Sequence, residues 1–299
     1  MRTHNFPSPT GYSGRTITKA PEWHDLVVLD VLFNNLATGL FLVAAICHLA
    51  KPSVFEACAL WAYPISLALL LTDFALLVLD LGDPLRFHHM LRVFKPGSPM
   101  SLGTWCLTAF SLVLAVIVLV EFVVLVGWWS WDDWPARWSC RIAAGVGLPF
   151  AFGSAAYKGV LFSTTAQPGW RDARWLGAYL MNSALVLGAS ELIVIAAILD
   201  ESRAVKLLAT ADVLLMILYL MWFAGLAREL QPALSQTSFH VILYPTALVL
   251  VLTHTVFPVI VLSVSRGVLS TSCVLGCLVL SHLLVRYILV HLPHRIQHR

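Results

Sequence analysis

Charge is scarce in this sequence. Asp, Glu, Lys and Arg make up 12% of its 299 residues, about half the share of an ordinary soluble domain, which argues against a chain kept in solution by a solvated surface. The net charge of +3 offers no basic field for a nucleic-acid partner. Cysteine is sparse too: Cys47, Cys58, Cys106, Cys140, Cys273 and Cys277 stand apart, and no two form a Cys-x-x-Cys pair. Neither an iron–sulfur cluster nor a structural zinc is encoded. No metal site is expected, and the thiols read as small buried hydrophobes. The first twenty-odd residues lack the apolar core of a cleavable signal peptide, so the first apolar run is expected to drive insertion. There is no internal repeat and no low-complexity tract.

What is abundant is apolar length. The chain is 59% hydrophobic, with a mean hydropathy of +0.82, and its apolar residues fall in runs of roughly twenty, the length that crosses a bilayer as a helix. About eight spans are expected, near 25–49, 54–79, 103–128, 142–164, 175–199, 204–227, 240–264 and 268–291. The runs lack barrel-strand alternation, so the fold class is an all-α integral membrane protein. Pro245 and Pro258 fall inside the seventh run and are expected to kink it. An even number of spans puts both termini on one side. That side carries Arg2, Arg15, Lys19, Arg86, Arg92, Lys95, Arg171, Arg174, Arg228, Arg295 and Arg299, against Lys51, Arg137, Arg141, Arg203, Lys206 and Arg266 opposite. The excess of positive charge favours cytoplasmic termini.

Ionisable groups at bilayer depth need a partner or a function. Asp30, Asn34 and Thr38 recur at i, i+4 and i+8 on one face of the first span, with Asn35 beside them. A carboxylate one turn from an amide can bind a polar ligand or exchange a proton; the same stripe can also bond a neighbouring helix. Asp73 and Asp80 share a face of the second span, and Glu121, Glu191 and Asp212 lie on the third, fifth and sixth. Asp73, Glu121, Glu191 and Asp212 read as a proton path or, equally, as static ion pairs with Lys158 or Arg286 as cations. His254 and His282, near mid-depth in consecutive helices, raise a bis-histidine haem, against which their neighbours lack the small residues that would make room for a porphyrin.

The most polar interruption is LDLGDPLRFHHMLRVFKPGSPMSLGTW, residues 79–105. Its Asp80-Leu81-Gly82, Pro84, Arg86-Phe87, Ser98-Pro99-Met100-Ser101 and Gly103-Thr104-Trp105 resemble the DLGxPxRF turn and SPMSxGTW segment of the NrfD / polysulfide reductase membrane-subunit family. Tyr12-Ser13-Gly14-Arg15, Lys19, Pro21 and Trp23 resemble that family's opening motif. Tyr157-Lys158-Gly159 resembles its fourth-helix YTG, Ser183-Ala184-Leu185 with Gly188 its fifth helix, and Pro258 and Arg286-Tyr287 its last two helices.

The resemblance implies eight helices in two four-helix bundles. The division would be a polar segment at 1–23, a first bundle at 24–165 with a quinone site, a second bundle at 166–292 and a tail at 293–299. It implies a multi-pass subunit of the cell inner membrane that reacts with menaquinone or ubiquinone from the quinone pool in the lipid bilayer and carries no metal or haem of its own. Its partners would be a ferredoxin-like iron–sulfur subunit and, through it, a molybdopterin or multihaem catalytic subunit. By position Tyr157 matches the family's site tyrosine, and Asp30 stands where polysulfide reductases have a histidine. Asn34-Asn35 for a small or glycine pair, and Asp83 for a basic residue, are further departures.

On that basis Asp30 is the expected proton acceptor, with Tyr157, Asn34 and Asn35 at the headgroup and Asp73 as the next carboxylate inward. Leu85, Phe87, Met90, Leu91 and Phe94 would lie in the membrane interface, while Arg86, His88, His89, Arg92 and Lys95 face a docked partner. An ion-translocating subunit and a passive anchor are the alternatives. The resemblance and the Lys/Arg count point to opposite sides for the docking face.

Overall fold

The computed structural model describes residues 23, 25–235 and 239–297, with side chains described except at 239–244, 263, 296 and 297. The opening motif from Tyr12 to Pro21 lies outside the described residues. The elements are α1 (Asp25–Ala50), α2 (Pro52–Leu79), a 3₁₀ helix (Pro84–Leu91), α3 (Pro99–Leu125), α4 (Trp134–Ser163), α5 (Leu176–Ile198), α6 (Ser202–Leu234), α7 (Phe239–Val251), a π turn (Leu252–Val256), α8 (Phe257–Val264) and α9 (Val268–Gln297). No strand occurs among the described residues.

Among the described residues seven segments are long and apolar enough to cross a membrane: α1, α2, α3, α5, α6, α9 and the stretch Pro245–Leu262 that joins α7 to α8. The eighth expected span is α4. Its 30 residues would reach about 45 Å as a helix, but Arg137, Arg141, Lys158 and its glycines and serines dilute its apolar character. Several helices overrun the expected spans. α4 starts at Trp134 rather than 142, and α6 runs on to Leu234 rather than 227, because a helix does not stop where the hydrocarbon does.

Helices α1 to α4 pack on one another, with α1 against α2 and α4 and α3 against α4. Helices α5, α6, α8 and α9 with the π turn form the second group, and the two meet chiefly where α1 lies along α5. Both central helices are mostly buried, whereas α3 presents Leu112, Leu119 and Phe122 outward. The α1–α5 crossing depends on glycine. A Cβ on Gly39 would collide with the Ala184 backbone, and one on Gly188 with the Gly39 backbone. Without a hydrophobic force between helices in lipid, such close backbone approach is what holds them together.

Local sequence explains the breaks. Ser98 caps α3, accepting from the Ser101 N–H at 3.4 Å, and Pro99 occupies the first helical position, where its missing N–H costs nothing. At the far end Gly127, at φ +84°, lets its own N–H reach Val124 and that of Trp128 reach Val123, the paired bonds of a glycine-terminated helix. Trp128, Trp129, Trp134 and Trp138 are exposed around this α3–α4 connection, as tryptophans at a membrane surface are. In the seventh span Pro258 has no N–H to offer the carbonyl of His254. The preceding turn widens, with the Phe257 N–H bonded to the Leu252 carbonyl, so the expected disruption takes the form of a π turn.

Candidate functional site

The connectivity brings the start of α1, the end of α2, the start of α3 and the end of α4 to one face. Between them lies a cavity of about 190 Å³ lined by apolar Val27, Val31, Leu77, Leu107 and Leu161, with Asp30, Tyr157 and Lys158 among its polar groups. Met90 of the 3₁₀ helix and Met100 at the start of α3 also line it, so the 79–105 stretch forms one wall. Trp23 forms another, stacked on Trp170 and set edge-on to Phe162.

Lys158 organises the polar side. Its ammonium stands 2.8 Å from Asp30 Oδ1 and 2.9 Å from Asp73 Oδ1, and donates to the Asp30 carbonyl oxygen at 3.1 Å. Asp73 is fully buried and lies behind the cavity wall. Asn34 Nδ2 donates to Asp73 Oδ2 at 3.2 Å and to Ser154 Oγ at 3.1 Å. The trio holds two carboxylates and one ammonium, so one negative charge is left over when all are ionised. Burying such a set is tolerable only because each charge has a partner.

Tyr157 owes its position to a glycine on the facing helix. A Cβ at Gly103 would collide with one edge of the tyrosine ring, so Gly103 is the slot for Tyr157. Ser101 Oγ accepts from the Lys95 N–H at 3.0 Å and donates to the Val93 carbonyl at 3.2 Å, tying the polar connection to α3. Gly159 lets the end of α4 press on the backbone of Gly177.

The sequence-derived residues divide in three. Asp30 and Tyr157 reach the cavity together, and Asp73 and Asn34 lie one layer behind. Asn35 does not join them: it points to α5 and donates to the Leu180 carbonyl at 2.8 Å, because one residue along a helix rotates the side chain by about 100°. Arg86, His88, His89, Arg92 and Lys95 are all exposed beside the cavity, Arg86 paired with Asp83 at 2.9 Å. The four acidic groups read as a proton path are not joined by hydrogen bonds among the described residues. Asp212 accepts from Ser190 Oγ at 2.8 Å, while Glu121 and Glu191 each keep a buried oxygen without a partner.

Of the two cations considered for static ion pairs, Lys158 is paired. Arg286 instead donates to the His282 carbonyl at 2.9 Å and to Ser183 Oγ at 2.8 Å, and no carboxylate stands within ion-pair distance among the described residues. It belongs to a second polar group between α5, α6, α9 and the π turn. Here His254 Nε2 and His282 Nε2 are 2.8 Å apart, and their Nδ1 atoms meet Ser281 at 2.9 Å and Ser183 at 3.0 Å. Tyr219 stacks on both rings and bonds Tyr179 through the hydroxyls. Imidazoles in direct contact leave no room for an iron at about 2 Å from each nitrogen, let alone a porphyrin, so the haem arrangement does not fit. The pairing of Lys158 with Asp30 as well as Asp73 is the static ion pair that a lone lysine deep in an apolar run suggests.

A family model described as Polysulphide reductase, NrfD, matches residues 18–292, nearly the whole chain. No curated protein sequence matches it.

Proposed function

This chain belongs to the polysulphide reductase NrfD family, and we propose that it is the quinone-reactive membrane anchor of a respiratory oxidoreductase complex in the cell inner membrane. The carrying observation is the cavity of about 190 Å³ in which Asp30, Tyr157 and Lys158 meet apolar walls. Its size is below the roughly 300–1,000 Å³ of sites that enclose a whole drug-sized ligand, and suits a ring headgroup whose isoprenoid tail stays in lipid. The substrate is menaquinol or ubiquinol. Its oxidation frees two protons and two electrons, and Asp30 is the proton acceptor on the cavity wall. Tyr157, held by Gly103, hydrogen-bonds a headgroup oxygen.

The electrons leave to a ferredoxin-like iron–sulfur subunit, which serves a molybdopterin or multihaem catalytic subunit. A basic, exposed connection with Arg86, Arg92 and Lys95 beside the cavity supports docking on this face, within reach of the quinol. A proton-translocating role is a second reading, favoured by the Ser190–Asp212 bond and the hydrogen-bonded histidines of the second group. Asp30→Asn in the assembled complex tests the first reading. It is expected to abolish quinol-driven turnover while the subunits still co-purify; undiminished quinol oxidation would remove Asp30 from the mechanism.

A further inference from the structure

We propose that Asp80 is the second proton acceptor of the quinol site and the point at which its protons leave the protein. The inference rests on the quinone reading above and adds a catalytic residue to it. A quinol carries its two hydroxyls at opposite ends of the ring, so one carboxylate does not reach both at once. Asp30 takes the proton of one. Asp80 lines the same cavity and stands at the other end of it.

The two carboxylates sit at different depths. Asp30 is 5% exposed and meets Lys158 beside Asp73. Asp80 follows Asp73 by seven residues and closes α2, about 10 Å farther along the helix axis. A quinol ring holds its oxygens roughly 5–6 Å apart, and a hydrogen bond of about 2.6 Å to a carboxylate at each end brings the span to roughly 11 Å. The ring fits between the two acids. At the inner end, Asp30 Oδ1 receives no hydrogen bond among the described residues, an opening that a hydroxyl donor fills. At the outer end Asp80 is half-buried, while Gly82 and Asp83 just beyond it are exposed. A proton on Asp80 is therefore at the edge of the water.

The step balances and repeats. One quinol O–H bond breaks as an O–H bond forms on Asp30, and the other breaks as an O–H bond forms on Asp80. The two electrons leave to the iron–sulfur acceptor of the docked subunit. The Asp80 O–H bond then breaks and its proton passes to solvent water. Once the quinone has returned to the lipid, the cavity of about 190 Å³ has room for several waters, with polar groups at both ends to hold them. Through these the Asp30 O–H bond breaks and its proton leaves by the same mouth. Both acids are again carboxylates for the next quinol.

Asp80→Asn in the assembled complex, with and without added formate, tests the proposal. The amide keeps the shape of the side chain and accepts no proton. The kcat of quinol oxidation per assembled complex should fall by about 10²-fold, the usual worth of a proton-transfer group. Formate, a carboxylate small enough to enter at the half-exposed mouth, should restore much of it. A kcat within about threefold of wild type, where an acid–base role is worth far more, overturns the proposal and leaves the quinone site standing. So does a lowered kcat that formate does not raise, the result expected if Asp80 only shapes the docking face. If the asparagine variant does not assemble, Asp80→Ser is read the same way, its shorter side chain leaving space for formate. A wild-type complex that oxidises no quinol overturns both readings together.

Discussion

Adding one methyl group at Gly103 drives a carbon against one edge of the Tyr157 ring. The built Cβ lies 2.6 Å from Cε2 of that ring and closer still to two other ring atoms, where ordinary contact begins at 3.4 Å. The ring edge must therefore move by about 0.8 Å at Cε2 and by more elsewhere. The obstacle is a side chain, only half-buried, that faces a cavity, so Tyr157 has somewhere to go. The stability cost of Gly103→Ala should then lie at the low end of the roughly 1–3 kcal/mol typical of overpacking. Its catalytic cost should be larger, because a misplacement of about 1 Å in a reacting constellation is worth on the order of 10²-fold. Quinol-driven turnover of the complex, measured beside the melting temperature of the same preparation in detergent, reads both. Turnover within about threefold of wild type would refute the assignment of Gly103 as the slot for a catalytically used tyrosine. Equal losses of folded protein and of activity would refute it as well.

Gly188→Ala should behave in the opposite way, since its obstacle is the backbone of α1: the melting temperature and the yield of complex fall, while turnover per assembled complex holds. A double-mutant cycle of Asp30→His and Lys158→Thr should be strongly non-additive. Lys158→Thr alone leaves two buried carboxylates unpaired, at a cost of about 3–5 kcal/mol, and adding Asp30→His should recover most of that loss in thermal stability. Arg92→Glu with Lys95→Glu should weaken co-purification of the iron–sulfur subunit, and raised salt should weaken the wild-type association in the same direction. Unchanged recovery of the partner would move the docking surface elsewhere.

Much of the architecture was legible because bilayer length and apolar content are one-dimensional signals. Even α4, the most polar of the spans, was legible as an apolar run near 142–164. The stripe of Asp30 and Asn34 was readable from helical spacing, and both do converge on one polar group. Asn35 was misassigned because adjacency in sequence is not adjacency on a helix. His254 and His282 were correctly seen as neighbours, but depth alone does not give ring separation, and direct contact replaced the gap a metal would need. The motif of 79–105 was legible only as a pattern. The structure gives its parts separate physical reasons: a cap at Ser98 and Pro99, a tie at Ser101 and a slot at Gly103.

The departures from the family pattern make better sense in pairs than singly. The family resemblance sets a histidine where Asp30 stands and a threonine where Lys158 stands. With a neutral histidine and a threonine, Asp73 would be the one charge among these three positions. With Asp30 and Lys158, the three again sum to one negative charge. Either change alone would alter that sum: Asp30 with threonine makes two adjacent uncompensated carboxylates, and histidine with Lys158 cancels the charge outright. The contacts of 2.8 Å and 2.9 Å from Lys158 put both carboxylates on one nitrogen. The low dielectric of the bundle makes any uncompensated charge there expensive. A carboxylate on the cavity wall therefore requires a cation within reach, and a cation already bonded to Asp73 meets that requirement while linking the wall to the acid behind it.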